Sequence, residues 1–333
     1  MSVDVLSDVL RAVRLTGAVF FVVEATHPWA AEAASTEVTL PLIMPEAEHL
    51  IPYHVVTEGV CYGTLPGEES VRLEAGDVIV FPHGDAHVMS SAPGLRAERK
   101  QVLPGRTHAR LPFYVKEGGN GSERSFVVCG FLGCDARPFN PLLATLPRVL
   151  HVSARNTPKA IWLNHFVQYA ATESSEKRSG GECVLARLSE LLFVEVVRIY
   201  LESLPPDQTG WLAGLRDPYV GRALGLLHER AAHPWTLEEI AREVGLSRSV
   251  FAERFTDVVG QPAMQYLAQW RMQIAAGMLA HGTAKVASVA RDAGYESEAA
   301  FSRAFKKATG LSPAEWRKRK SSAVEMQHQD PKA

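Results

Sequence analysis

Cysteine is scarce in this chain. Four residues (Cys61, Cys129, Cys134 and Cys183) in 333 are too few for a disulfide framework at this length. No apolar run reaches about 18 residues, which excludes a membrane-spanning helix. Neither sign of charge dominates: 35 Lys+Arg stand against 37 Asp+Glu, a net charge of -2. The N-terminus MSVDVLSDVLRAVRL places acids inside an amphipathic pattern and lacks the basic and apolar regions of a secretory signal. Nucleotide and hydrolase motifs are missing too, with no P-loop, no G-x-G-x-x-G and no G-x-S-x-G. His228-Glu229 is followed by His233, one residue too far for H-E-x-x-H, and Ala232 holds the required place. What remains is a cytoplasmic globular protein with no sign of an enzyme class.

The composition that is present is ordinary, with 46% hydrophobic and 22% charged residues, and the length suggests about two domains. The near-zero net charge hides an asymmetry. Between Asp217 and Lys320 there are 15 Lys+Arg and 11 Asp+Glu, so the C-terminal third is basic and the remainder acidic. That points to a polyanion as partner of one part only. The first 140 or so residues read as short strands: GAVFFVV from Gly17, YHVVT from Tyr53 and VIVF from Val78, bounded by Gly, Pro or Asp. Near Pro138 the pattern turns helical, at Pro141–Leu146, Lys159–Ala171 and Glu182–Leu204. The stretch PPDQTG from Pro205 reads as a linker.

The C-terminal part repeats itself. Ala241-Arg-Glu-Val-Gly245 matches Ala290-Arg-Asp-Ala-Gly294, Phe251-Ala-Glu-Arg-Phe255 matches Phe301-Ser-Arg-Ala-Phe305, and Gly260-Gln-Pro262 matches Gly310-Leu-Ser-Pro313. The offset is 49 residues at the turn glycine, 50 at the phenylalanines and 51 at the proline, so both insertions fall in turns. Each copy has the punctuation of a helix-turn-helix. Thr236 and Glu239 have capping-box spacing. Gly245 supplies a left-handed cap. Ser247 can cap the next helix, on which Phe251 and Phe255 sit one turn apart and face inward.

With TLEEIAREVGLSRSVFAERFTDVVGQPAMQYLAQWRM and VASVARDAGYESEAAFSRAFKKATGLSPAEWR, the stretch from about Pro218 to Arg319 resembles the AraC/XylS-type DNA-binding domain. The resemblance implies two helix-turn-helix units bridged by a long helix, Pro262–Leu279, reading double-stranded promoter DNA. A recognition helix enters the major groove by its N-terminal residues. The outward positions are Arg248, Ser249, Ala252 and Glu253 in the first unit, and Glu298, Ala299, Ser302 and Arg303 in the second. Arg303 suits a guanine edge, Glu253 a cytosine amino group and Ala252 a thymine methyl. The family commonly carries a basic residue where Glu253 stands. Arg271, Lys306 and Lys307 are the candidate phosphate contacts.

In the N-terminal half, GDVIVFPHGDAH from Gly76 to His87 fits the second cupin motif, G-x5-P-x-G-x2-H. The chain thus resembles an AraC-like regulator with a cupin-type effector domain, and a small double-stranded β-barrel is expected. The first cupin motif fails. With Gly59 as its hairpin glycine, Pro52 holds the Glu place, and the His places hold Pro45 and Ala47, or Glu46 and Glu48. A cupin metalloenzyme therefore loses its ligands. His54, Cys61 (brought to the same face by hairpin pairing across Glu58-Gly59), His87, Cys129 and Cys134 form a pool from which a tetrahedral zinc site could be drawn. The alternative is that the same five are only core residues, the reading we favour.

The expected architecture is α+β. Residues 1–140 form a cupin-like sensing barrel and 141–210 a helical connector with dimer contacts and linker. Residues 211–320 form an all-α DNA-binding domain with two helix-turn-helix units, and 321–333 a disordered tail. The expected function is a sequence-specific transcription regulator responding to a small-molecule effector. A homodimer and an RNA polymerase contact are further expected partners. A thiol- or zinc-dependent redox switch is the alternative.

Overall fold

A computed structural model describes residues 3–97, 112–153, 165, 168–170, 172–173, 176, 178–205 and 207–328. Most of the helix expected over Lys159–Ala171 lies outside the described residues. The chain divides into two compact units. One comprises Leu15–Cys134 and Leu146–Ser203; the other comprises the residues up to Arg14, Asp135–Thr145, and the chain from Leu204 onward. These bounds differ from the expected ones because they follow packing rather than chain order.

Among the described residues the first unit holds ten strands. They are β1 (Thr16–Thr26), β2 (Ala30–Ala33), β3 (His49–Glu58), β4 (Val60–Thr64), β5 (Val71–Glu74), β6 (Asp77–Val80), β7 (His87–Ser90), β8 (Phe113–Gly118), β9 (Arg124–Cys134) and β10 (Leu150–Ser153). One sheet runs β10-β6-β3-β9-β1-β8 and the other β2-β7-β4-β5. Their inner faces share one core, in which Val23, Val56 and Val127 of the large sheet meet Cys61, Leu73 and Met89 of the small one. Two facing sheets of this kind are a cupin-like jelly roll, although hydrogen bonds do not close them into a barrel among the described residues. The expected β3–β4 hairpin does not form. Gly59 (φ +77°) turns the chain out of the large sheet and into the small one, so β3 pairs with β6 and β9 while β4 pairs with β5 and β7. Cys61 still ends fully buried, because the two inner faces share the core.

A long helix, Gly181–Ser203, belongs to this unit and not to a separate connector. It packs on β1, β9 and β10. Its Ser189 hydroxyl meets the Tyr53 hydroxyl of β3 at 2.5 Å, and the Gly17 amide donates to Glu190 Oε1 at 3.2 Å. The close approach needs Gly17: a Cβ there would strike the Ala186 carbonyl oxygen and lie 2.6 Å from Ser189 Cβ. Taken in chain order with α1 (Val5–Ala12), α2 (Thr36–Ile43) and α3 (Pro141–Thr145), it is α4.

The second unit contains α1, α3, α5 (Trp211–Arg216), α6 (Val220–Glu229), α7 (Leu237–Val244), α8 (Arg248–Val259), α9 (Ala263–His281), α10 (Val286–Asp292), α11 (Glu298–Thr309) and α12 (Pro313–His328). The punctuation acts as read. Thr236 Oγ1 accepts from Glu239 N–H, Ser247 Oγ from Val250 N–H, and Ser297 Oγ from Ala300 N–H. Gly245, Gly260 and Gly310 adopt the left-handed cap, with φ of 83°, 83° and 79°. The capping box is only half made, since the Glu239 carboxylate turns to His233 at 2.9 Å. Phe251, Phe255, Phe301 and Phe305 are all fully buried. The disordered tail expected from 321 is corrected as far as His328. After Pro313 the segment has no Gly or Pro to stop it, and α12 continues.

The N-terminal helix α1 packs on α6 and α9. Buried Gln273 of α9 ties in two outlying segments. Its amide donates to the Ala12 carbonyl at 3.2 Å, and its carbonyl accepts from Phe139 N–H at 3.1 Å. Arg14 and Lys320 both reach the Asp135 carboxylate, at 2.9 and 3.4 Å. The core of the helical unit therefore extends beyond the residues that repeat.

Candidate functional site

The two repeats present matching helices, α8 and α11. Since the phenylalanines at 251, 255, 301 and 305 take the inward face, the outward face carries the rest. Arg248, Ser249, Glu253, Glu298, Ala299 and Arg303 are exposed; Ala252 and Ser302 are partly so. No ion pair engages Arg248, Arg303 or Lys307 among the described residues, which leaves these cations to solvent. Lys306 is exposed as well and lies near Glu315, whose carboxyl is held below the usual range chiefly by hydrogen bonds from Ser312. Arg271 departs from expectation. Its guanidinium is half-buried and donates to the Ala231 and His233 carbonyls, each at 2.7 Å, so it staples α9 to the loop before α7. Nothing local in the sequence distinguishes such a staple from a phosphate contact.

What holds the first helix pair is a buried aromatic group on α9. Tyr266 Oη accepts from Trp211 Nε1–H at 2.9 Å and lies 2.7 Å from His228 Nε2, and the His228 ring stacks on Trp270 at 4.1 Å. Trp211 can only donate, so the Tyr266 proton goes to His228. Burial pushes the His228 pKa down to about 3, so this imidazole is neutral. Arg254 of α8 forms a salt bridge with Asp217 at 2.6 Å, and Asp217 in turn accepts from the first amides of α6. The bridging helix α9 has 19 residues, a length of about 28 Å. That is comparable to the roughly 34–36 Å between successive major-groove faces.

The sheet unit encloses a cavity of about 710 Å³ counting its open mouth. Its lining includes Phe21, Trp29, His54, His87, Cys129 and Phe131. Among the described residues that line it Glu32 is the one carboxylate, and there is no Lys or Arg. Two of the expected residues meet there, with His54 Nε2 lying 2.7 Å from His87 Nε2. His87 also stacks on Phe81 at 3.7 Å, and its Nδ1 lies 2.9 Å from the Asp85 carbonyl oxygen. Burial, then the neighbouring His87, pushes the His54 pKa well below its usual value; burial takes His87 down to about 4. Both rings are neutral at pH 7, which fixes their protons. The Asp85 carbonyl can only accept, so His87 Nδ1 carries hydrogen and its Nε2 is bare. His54 Nε2–H must then donate, leaving His54 Nδ1 a bare acceptor. That atom is buried without a partner, as is Trp29 Nε1–H.

The cysteines divide. Cys129 stands directly opposite His54 in the β3–β9 register, and Cys61 lies in the same core. Burial, then Asp77, pushes the Cys61 thiol up to about 12, and burial raises Cys129 as well. Cys134 is five positions further along β9, paired with His49 on the alternate side of the strand. Among the described residues no three of His, Cys, Asp or Glu converge as metal ligands. Two imidazoles bonded to one another do not fit the four-donor zinc site the pool suggested. Trp29, Phe21 and Phe131 were not foreseen, since a cavity wall is assembled from strands far apart in the chain.

The cupin family matches residues 4–202, and the helix-turn-helix domain family matches residues 240–319. A putative AraC-like transcription regulator of Streptomyces lividans is 34% identical over 82% of this chain and 88% of its own. The HTH-type transcriptional regulator AlkR of Acinetobacter baylyi is 26% identical over 94% of this chain and 99% of its own. The RCS-specific HTH-type transcriptional activator RclR of Escherichia coli is 27% identical, covering 81% of this chain and 85% of its own.

Proposed function

This chain belongs to the AraC-like transcription regulators, with a cupin domain ahead of a helix-turn-helix domain, and from that we propose that it reads a specific promoter sequence through α8 and α11 under control of a ligand held between its sheets. DNA-binding regulation is the family's function. The finer assignment is supported by the exposed outward faces of the two matching helices, where Arg248 and Arg303 have no ion-pair partner among the described residues. Arg303 reads a base edge, and Lys306 and Lys307 contact phosphates. Ligand binding shifts the population between arrangements that present the DNA-reading units differently. A homodimer and a contact with RNA polymerase belong to the same proposal. No helix among the described residues is long and apolar enough to cross a membrane.

A thiol switch is disfavoured by the burial of Cys61 and Cys129, which suppresses the reactive thiolate at neutral pH. The test of the main reading is selection of bound genomic fragments by the full-length protein, followed by footprinting. Protection should cover two major-groove faces about one helical turn apart, and affinity should fall steeply with salt. Equal affinity for every fragment would remove sequence-specific reading.

A further inference from the structure

The cavity between the sheets has a chemical signature that narrows what fills it. Its walls are apolar and aromatic, with Phe21, Trp29 and Phe131 among them. Two polar atoms on lining residues are buried and unpartnered: the Trp29 Nε1–H donor and the His54 Nδ1 acceptor. A buried polar atom without a partner is costly, and a ligand that supplies the partner recovers that cost. The hydrogen-bond chain from the Asp85 carbonyl through His87 to His54 dictates that His54 offers a lone pair and not a proton. Among the described residues no cation lines the cavity to meet an anion, and Glu32 opposes one.

We propose that the cavity binds an uncharged, apolar aromatic molecule bearing one hydroxyl group, a ligand of the phenol class. Its O–H donates to His54 Nδ1, and the hydroxyl oxygen accepts from Trp29 Nε1–H. Its ring packs among Phe21, Trp29 and Phe131, where aromatic pairs add to simple burial. A hydroxyl both donates and accepts and so matches the two orphaned atoms together, whereas an ether matches one and a hydrocarbon neither. The assignment rests on the reading of the cavity as a ligand site and names what that ligand is.

The test is calorimetric titration of the full-length protein with 4-alkylphenols from methyl to octyl. Three series of the same chain lengths accompany them: 4-alkylanisoles, 4-alkylbenzoates and 4-alkylbenzylamines. A phenol of suitable length should bind saturably. Its anisole, which cannot donate, should bind about tenfold or more weakly, and neither charged series should bind. Trp29→Phe keeps the aromatic wall and removes the donor; it should weaken the phenol and its anisole alike, about tenfold, because both oxygens accept from that N–H, and leave the gap between them nearly unchanged. His54→Gln, if it folds by circular dichroism, should narrow the gap between phenol and anisole. Equal binding of phenol and anisole, preference for a charged series, or no saturable binding by any phenol would overturn the assignment. A phenol that binds with these preferences but leaves DNA affinity unchanged upholds the assignment and removes the effector role proposed above.

Discussion

Replacing Tyr266 by phenylalanine removes one oxygen from the centre of the helical unit. Tyr266 is fully buried on α9, and its hydroxyl joins α5 through Trp211 and α6 through His228. In Tyr266→Phe the Trp211 N–H and the His228 Nε2 both lose their only partner. No water reaches them, since Trp211 is 2% exposed and the His228 side chain 0%. An orphaned buried polar group costs about 1–3 kcal/mol, so the pair predicts a loss of about 2–6 kcal/mol. Against a domain stability of about 5–15 kcal/mol this is a large fraction. The assay is urea unfolding of the full chain by far-UV circular dichroism, fitted for the transition that also abolishes DNA binding. Trp211→Phe supplies the control, because with the indole N–H already gone, Tyr266→Phe strands only His228. Its added cost should fall to about 1–3 kcal/mol in that background. A loss below about 1 kcal/mol for Tyr266→Phe alone, or the same loss in both backgrounds, would show that the hydroxyl does not bridge the two groups.

The neutral histidines make the sheet unit sensitive to acid. His87 has its pKa lowered to about 4 in the fold against 6.5 unfolded, so stability is full above about pH 6.5 and declines as pH falls toward 4. The decline should approach about 3 kcal/mol, seen as a falling urea midpoint of the sheet unit; a flat profile over that window would mean that His87 is not held neutral. Arg303→Ala should cost about 1–3 kcal/mol on the specific site and relax one base position, whereas Lys307→Ala should weaken all sequences alike and reduce the salt slope by about one. Competition binding against a site library separates the two effects. Gly17→Ala forces a methyl into the Ala186 carbonyl and Ser189, so it should displace α4 from β1 and destabilise the sheet unit by about 1–3 kcal/mol, measured by thermal unfolding.

The helix-turn-helix units were legible from the chain because their signals are local. A serine or threonine cap acts on an amide three residues on, and a left-handed glycine closes the helix it follows. Phe251 and Phe255 declare an inward face by spacing alone. Thr236, Ser247, Gly245 and Gly260 therefore occupy the positions their identities imply, and the second copy repeats them with Ser297 and Gly310. The cupin motif was equally local, two turns on either side of β6 carrying Gly76 and Gly84 at positive φ, with His87 entering β7 just beyond. The length of α12 is the partial exception, since a charged, glycine-free tail has enough helix propensity to continue where polarity alone suggests disorder.

Other features depend on which distant segments meet, and no short-range rule encodes that. Strand pairing is one. Glu58-Gly59 has the look of a hairpin turn, yet the chain changes sheets there, because burying Cys61 and Leu73 against Val56 and Val127 outweighs pairing β3 with its successor. Arg271 sits on a helix of the DNA-binding unit like any surface cation, and only the fold brings the Ala231 and His233 carbonyls to its guanidinium. Gln273 and Asp135 bind α1 and the segment after β9 into the helical unit across more than a hundred residues of chain. The cavity is the extreme case. Trp29, His54, His87 and Phe131 come from four separate stretches, and the proton on His54 is placed by a carbonyl at Asp85 acting through His87. Local chemistry set the DNA-reading helices before folding. The cavity came into being only when two sheets faced one another and left the Trp29 Nε1–H and His54 Nδ1 atoms unpaired.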